Sequence, residues 1–79
     1  MLSYEPFYQT MKRKGITSYH LIEKLGLSRR TYYRIKAGNH VSTATIIQLC
    51  DLLDCEIYDI IRVEKPGILF LEDVNTKTT

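Results

Sequence analysis

Gly26 and Gly38 bracket the stretch GLSRRTYYRIKAG, and no other part of the 79-residue chain leaves so few folding choices. Ser28 is placed to cap a helix, because its hydroxyl accepts an orphan backbone N–H of the first turn. Gly38 is placed to end it, because a left-handed helix terminus is cheap only for glycine. Between these signals the side chains divide. At about 100° per residue, Thr31, Tyr32 and Ile35 fall on one side and Arg29, Arg30, Tyr33 and Arg34 on the other, with Ala37 between them. The first side suits a core. The second carries three guanidiniums and a phenol on half of a short helix. Such a helix fits the DNA major groove, where arginine offers two parallel donors to guanine O6 and N7. An arginine-rich face is also compatible with a plain solvated surface, so the sequence upstream has to decide.

Upstream lies Thr17–Leu25, TSYHLIEKL. Thr17 is a second capping residue, and Leu21, Ile22 and Leu25 form an apolar stripe. Gly26 and Leu27 then turn the chain into Ser28. Helix, short glycine-containing turn and basic helix is the helix-turn-helix order.

The charge is unevenly spread. From Lys12 to Lys36 there are eight basic residues and one acid, Glu23; from Ala37 to Thr79 there are three basic residues and seven acids. A positive half gathered on one surface is an electrostatic footprint for a polyanion. The length allows one small domain with a modest core, which a dimer partner would help to stabilise. A hydrophobic content of 44% argues against global disorder. No apolar run approaches the roughly 18 residues of a membrane span, and no signal-peptide pattern opens the chain, so the expected compartment is the cytoplasm. Cys50 and Cys55 are too few for a disulfide framework. Neither His20 nor His40 stands at zinc-ligand spacing, so no metal and no cofactor is expected.

Taken in order, Ser3–Lys14 is expected as helix 1, with Pro6 in its first turn, where a missing N–H does no harm. Phe7 and Met11 point inward, and Gly15 ends the helix after Lys12, Arg13 and Lys14. Ile16 precedes the Thr17 cap as a staple against Leu21. Helices 2 and 3 follow as described. Gly38–Val41 forms a loop, and Ser42 caps helix 4, Thr43 to about Asp54, with Ile46, Leu49, Cys50 and Leu53 as its stripe. Glu56–Ile61 is expected as a short fifth helix. Pro66–Gly67 reads as a turn, Ile68–Leu71 as a short β-type segment, and Asn75–Thr79 as a frayed end. The division is thus a helix-turn-helix DNA-binding domain over 1–65 and a C-terminal tail over 66–79.

The phrases PFYQTMKRKGITSYHLI, GLSRRTYYRIKAG, STATIIQLCDLLDC and DII, in that order over residues 4 to 63 or so, resemble the Cro/lambda-repressor-like (Xre) family. Within it they resemble a compact branch of short bacterial transcriptional regulators. The resemblance implies an all-α, five-helix domain and a role for each matching position. Arg29, Arg30 and Arg34 would meet base edges, and Tyr33 would lie against a base methyl or the sugar-phosphate backbone. Thr17 and Ser18 would hold one phosphate; Asn39, His40, Ser42 and Thr43 would hold another. Lys36 flanks this face as a further phosphate contact. Ile22 stands where many members have alanine at the crossing of helices 2 and 3, so the crossing must open slightly or be offset by Thr31.

No catalytic constellation is present: no Cys–His or Ser–His spacing, no glycine-rich phosphate loop before a helix, no paired carboxylates in an expected cleft. The leading expectation is a sequence-specific binder of double-stranded DNA that regulates transcription, as a repressor, with helix 29–37 in the major groove. The alternative is a protein-binding adaptor or antitoxin-like partner on the same fold, motivated by the apolar tail. For Ile68–Leu71 two arrangements compete. Two copies could pair antiparallel into a homodimer, or Phe70 and Leu71 could fold back over Leu52 and Ile61 of their own domain.

Overall fold

The computed structural model describes residues 1–65. Helix α1 spans Glu5–Lys14, and Leu2–Ser3 before it is a strand, β1. The expected start at Ser3 is therefore corrected. Pro6 has no N–H to offer the Leu2 carbonyl, so helical bonding cannot extend back past the first turn. The released residues pair antiparallel with β2, Arg62–Val63, in the register Leu2↔Val63 and Ser3↔Arg62. Met1 and Glu64 extend the ladder: the Glu64 N–H donates to the Met1 carbonyl (2.6 Å) and the Met1 amine to the Glu64 carbonyl (3.0 Å). The described chain thus closes its two ends on each other.

Gly15 ends α1 at φ 69°, with its N–H on the Lys12 carbonyl and the Ile16 N–H on the Met11 carbonyl. This pair of bonds satisfies carbonyls that a helix end otherwise leaves open. The next helix begins at Thr17, whose hydroxyl accepts from the His20 N–H (3.1 Å). Over His20–Lys24 it widens to π-helical geometry, closing with Leu25 N–H on the His20 carbonyl (2.9 Å). The widened turn contains Ile22, the bulky residue that the resemblance places at the crossing of helices 2 and 3. Helix α2 spans Arg29–Lys36 and α3 Thr43–Leu53. Their caps are the expected ones: Ser28 accepts from Thr31 N–H (3.3 Å) and Ser42 from Thr45 N–H (3.1 Å).

The expected fifth helix is reduced to a single 3-10 turn, Ile57–Asp59. The Asp59 carboxylate accepts the Glu56 N–H (3.1 Å) and so closes the turn. Three residues on, Arg62 has already left for β2. Among the described residues the architecture is four helices, this single 3-10 turn and a two-stranded sheet. The fold-back or pairing of Ile68–Leu71 lies outside the described residues.

Phe7, Met11, Leu21, Tyr32, Ile35, Ile46, Leu49, Leu53 and Ile60 form the core, as the periodicity requires. Two members come from outside the helical stripes, and a buried polar residue, Thr10, joins the α1 stripe between Phe7 and Met11. Tyr4 caps α1 and turns its ring inward; Leu27, placed in a turn by the sequence, is 2% exposed; the Thr10 hydroxyl donates to the Asp59 carbonyl (2.8 Å). Conversely, Leu25, Ile22 and Cys50 are only half-buried, and Ile57 is exposed.

Candidate nucleic-acid interface

The basic face rests on α2, which packs by Tyr32 and Ile35 and exposes the rest. Arg29, Arg30, Tyr33, Arg34 and Lys36 are all exposed, and Tyr33 keeps 55% of its surface open beside the buried Tyr32 ring. The two rings meet edge to face at 5.5 Å, which fixes the side on which Tyr33 stands. The flanking candidates Thr17, Ser18, Asn39, His40, Ser42 and Thr43 are exposed as well.

The three arginines differ in their surroundings. Arg29 Nη2 donates to the Glu23 carboxylate at 2.6 Å, across the turn. Arg34 Nη2 donates to the His40 carbonyl at 2.8 Å, tying the loop to the helix it follows. Arg30 makes no ion pair or side-chain hydrogen bond among the described residues. A guanidinium has five donors, so the bonds held by Arg29 and Arg34 leave donors free.

The loop after α2 is held from three directions. At the helix end Gly38, at φ 79°, donates to the Ile35 carbonyl and Asn39 to the Arg34 carbonyl. From below, the Tyr4 hydroxyl donates to the Asn39 carbonyl at 2.6 Å. From the face itself comes Arg34. Burial pushes the Tyr4 phenol above its ordinary value, while the Arg34 guanidinium pulls the other way. Asn39 and His40 are thereby placed beside α2 and ahead of the α3 cap at Ser42. Thr17 uses a hydroxyl lone pair in capping, which leaves its hydroxyl proton available to an outside acceptor, whereas the Ser42 hydroxyl also shares a hydrogen bond with the Thr45 hydroxyl (3.1 Å).

Glu23 and Tyr4 were not among the residues singled out from the sequence, yet both contact the site. Glu23 had one signal, being the sole acid between Lys12 and Lys36. Tyr4 had none, because its partner lies 35 residues away. Cys50 and Cys55 are free and half-buried; burial raises both thiols, that of Cys55 to about 11. No helix of the described residues is long and apolar enough to cross a membrane.

No curated protein matches the chain. A solved structure, the crystal structure of transcriptional regulator VanUg, Form II, is similar in fold. It has a TM-score of 0.72 and 23% identity over 82% of this chain and 87% of that one. The family model for the Cro/C1-type HTH DNA-binding domain matches residues 8–66. The match takes in the capped turn, the basic helix and the loop braced behind it, and the chain belongs to the Cro/C1-type helix-turn-helix DNA-binding family.

Proposed function

We propose that this chain is a sequence-specific binder of double-stranded DNA that represses transcription by occluding polymerase, with residues 29–37 lying in the major groove. The observation that carries the reading is the exposure of Arg29, Arg30, Tyr33 and Arg34 on one helix whose other face is core. In this reading those four side chains meet bases. Lys36, Asn39, His40, Ser42 and Thr43, with Thr17 and Ser18 across the turn, meet phosphates and set the register. No reaction is catalysed, and the site of action is the cytoplasm. Two copies joined through Ile68–Leu71 would read half-sites about 34–36 Å apart.

Selection of bound duplexes from a random DNA pool tests this. A recurrent motif is expected, with affinity falling as log salt rises by roughly 0.9 per phosphate contact. Recovery of no motif, with a flat salt dependence, overturns it. A motif split into two symmetric half-sites supports the dimer; a single undivided site refutes it.

A second reading, a protein-binding adaptor, is favoured by one feature. Among the described residues, Met1, Leu2, Val41, Ile46, Ile61 and Val63 line an apolar groove of about 460 Å³. A stoichiometric protein partner combined with nonspecific DNA affinity would establish it.

A further inference from the structure

We infer that Glu23 is a specificity-determining positioning residue, whose carboxylate fixes the Arg29 guanidinium for a guanine and penalises DNA that lacks it. The inference rests on the DNA-reading proposal above. Three observations lead to it.

Glu23 Oε2 lies 2.6 Å from Arg29 Nη2, a short charge-assisted contact. Both side chains remain open to solvent, at 62% for Arg29 and 42% for Glu23. An ion pair so exposed contributes little to folding, so stability does not account for an acid here. Next, Glu23 is the single carboxylate in the basic segment from Lys12 to Lys36. On a surface meant for phosphates its charge weakens attraction to every DNA sequence alike. Finally, Arg29 is the first residue of α2, and it is the N-terminal residues of a recognition helix that reach base edges.

The chemistry joins these observations. A free arginine side chain gives up much rotamer freedom when it docks on a base. Held by Glu23 beforehand, Arg29 loses less. One donor spent on the carboxylate still leaves a parallel pair of N–H groups for guanine O6 and N7. On a sequence without guanine at that position Arg29 stays on Glu23, and the carboxylate then faces DNA with no compensating base contact. The pair thus strengthens binding to one base and weakens binding to the rest, which is how specificity differs from affinity.

The competing explanation is structural. Arg29 and Arg30 crowd the positive end of the α2 dipole, which has no acid in its first turn, and Glu23 would offset that charge. The two explanations separate by measurement. Glu23→Gln and Glu23→Asp are compared with the unchanged protein on the duplex selected from the random pool and on a random-sequence duplex of equal length. Thermal melting is read in parallel. The expected result for Glu23→Gln is a fall in affinity for the selected duplex and a rise for the random one. The ratio between them should shrink by about tenfold, within the range of one base contact. Preference at one guanine should relax. Glu23→Asp, with a shorter reach, should fall between. In an Arg29→Ala background Glu23→Gln should leave the ratio unchanged. Parallel loss on both duplexes with a lowered melting temperature would establish the dipole role and overturn the inference. An unchanged ratio overturns it as well, while leaving the DNA-reading proposal intact. Absence of any selected motif overturns both.

Discussion

Tyr4→Phe removes one oxygen and little else, and its cost follows from the local geometry. The Tyr4 ring is 6% exposed and keeps its place in the core when the hydroxyl is lost. What disappears is the 2.6 Å hydrogen bond to the Asn39 carbonyl, in a partly buried setting. A typical net hydrogen bond contributes about 1 kcal/mol, and leaving a buried acceptor unpaired costs about 1–3 kcal/mol. The Asn39 carbonyl is near the surface, so about 1–2 kcal/mol is expected. For a domain this small, whose whole stability is roughly 4–12 kcal/mol at 0.05–0.15 kcal/mol per residue, that is a large share. It corresponds to a melting temperature lower by roughly 4–15 °C. Urea unfolding followed by circular dichroism should show a lower midpoint at an unchanged slope.

A pH series on the same two proteins isolates the phenol. Burial raises the Tyr4 phenol in the folded state. Its contribution is therefore complete below the unfolded-state value of about 10 and is lost as pH rises through the raised folded value. The stability difference between the unchanged protein and Tyr4→Phe should narrow above about pH 10. The substitution also releases one of the holds on the 38–41 loop, so binding to selected and random DNA should weaken together, by a few-fold. Equal midpoints for the two proteins at pH 7 would refute the reasoning, since water would then serve the Asn39 carbonyl as well as Tyr4 does.

Leu49→Ala and Ile35→Ala, at positions with no more than 1% exposure, should each cost about 2–5 kcal/mol in urea unfolding. Leu25→Ala, half-buried, should cost about 1–2 kcal/mol, because less apolar surface returns to water. Arg30→Ala should lose about 1–3 kcal/mol on the selected duplex and relax one base position, whereas Lys36→Ala should weaken all sequences equally in the same titration. The Cys55 thiol, raised by burial to about 11, should alkylate more slowly at pH 8 than a free thiol. Its contribution to stability is intact below the unfolded-state value of about 8.5 and is lost as pH rises toward 11, so Cys55→Ala should flatten the melting profile across that window.

Local signals carried the helices into the sequence with little ambiguity. Thr17, Ser28 and Ser42 cap where they were expected, and Gly15 and Gly38 take the positive φ that ends a helix. Each depends on groups within a few residues, and such groups are visible in a one-dimensional string. The elements that differ from the expectation depend on distant partners. Leu2–Ser3 becomes a strand only because Arg62–Val63 lies beside it. Two-residue strands have no periodicity to detect. Leu27 looked like part of a turn, yet that turn faces the core and its N–H donates to the Leu21 carbonyl at 3.0 Å. Glu56–Ile61 has the apolar spacing of a helix, but pairing with β1 draws Arg62 away before a second turn can form.

The basic face shows the same limit at the level of single side chains. Periodicity placed Arg29, Arg30 and Arg34 together and gave no ground for treating them differently. The fold distinguishes them through neighbours that a helical wheel does not contain: a carboxylate across the turn for Arg29, a loop carbonyl for Arg34, and open solvent for Arg30. An arginine already hydrogen-bonded is oriented before it meets DNA, whereas a free one is ordered only on binding and gives up rotamer freedom then. On the proposed reading, Arg29 and Arg34 would approach DNA from directions set by these partners, and Arg30 would adapt. The hold on Arg34 has a further consequence, because its partner is the loop that bears Asn39 and His40. Pulling Arg34 toward a base would drag on the His40 carbonyl, and through the adjoining Asn39 carbonyl on Tyr4, which lies in the core. In the proposed reading, base contact and phosphate contact are therefore mechanically linked at this one guanidinium. An Arg34→Lys substitution, which keeps the charge and loses the planar fork, should accordingly weaken binding to random DNA as well as to the selected duplex. Arg30→Lys should affect the selected duplex alone.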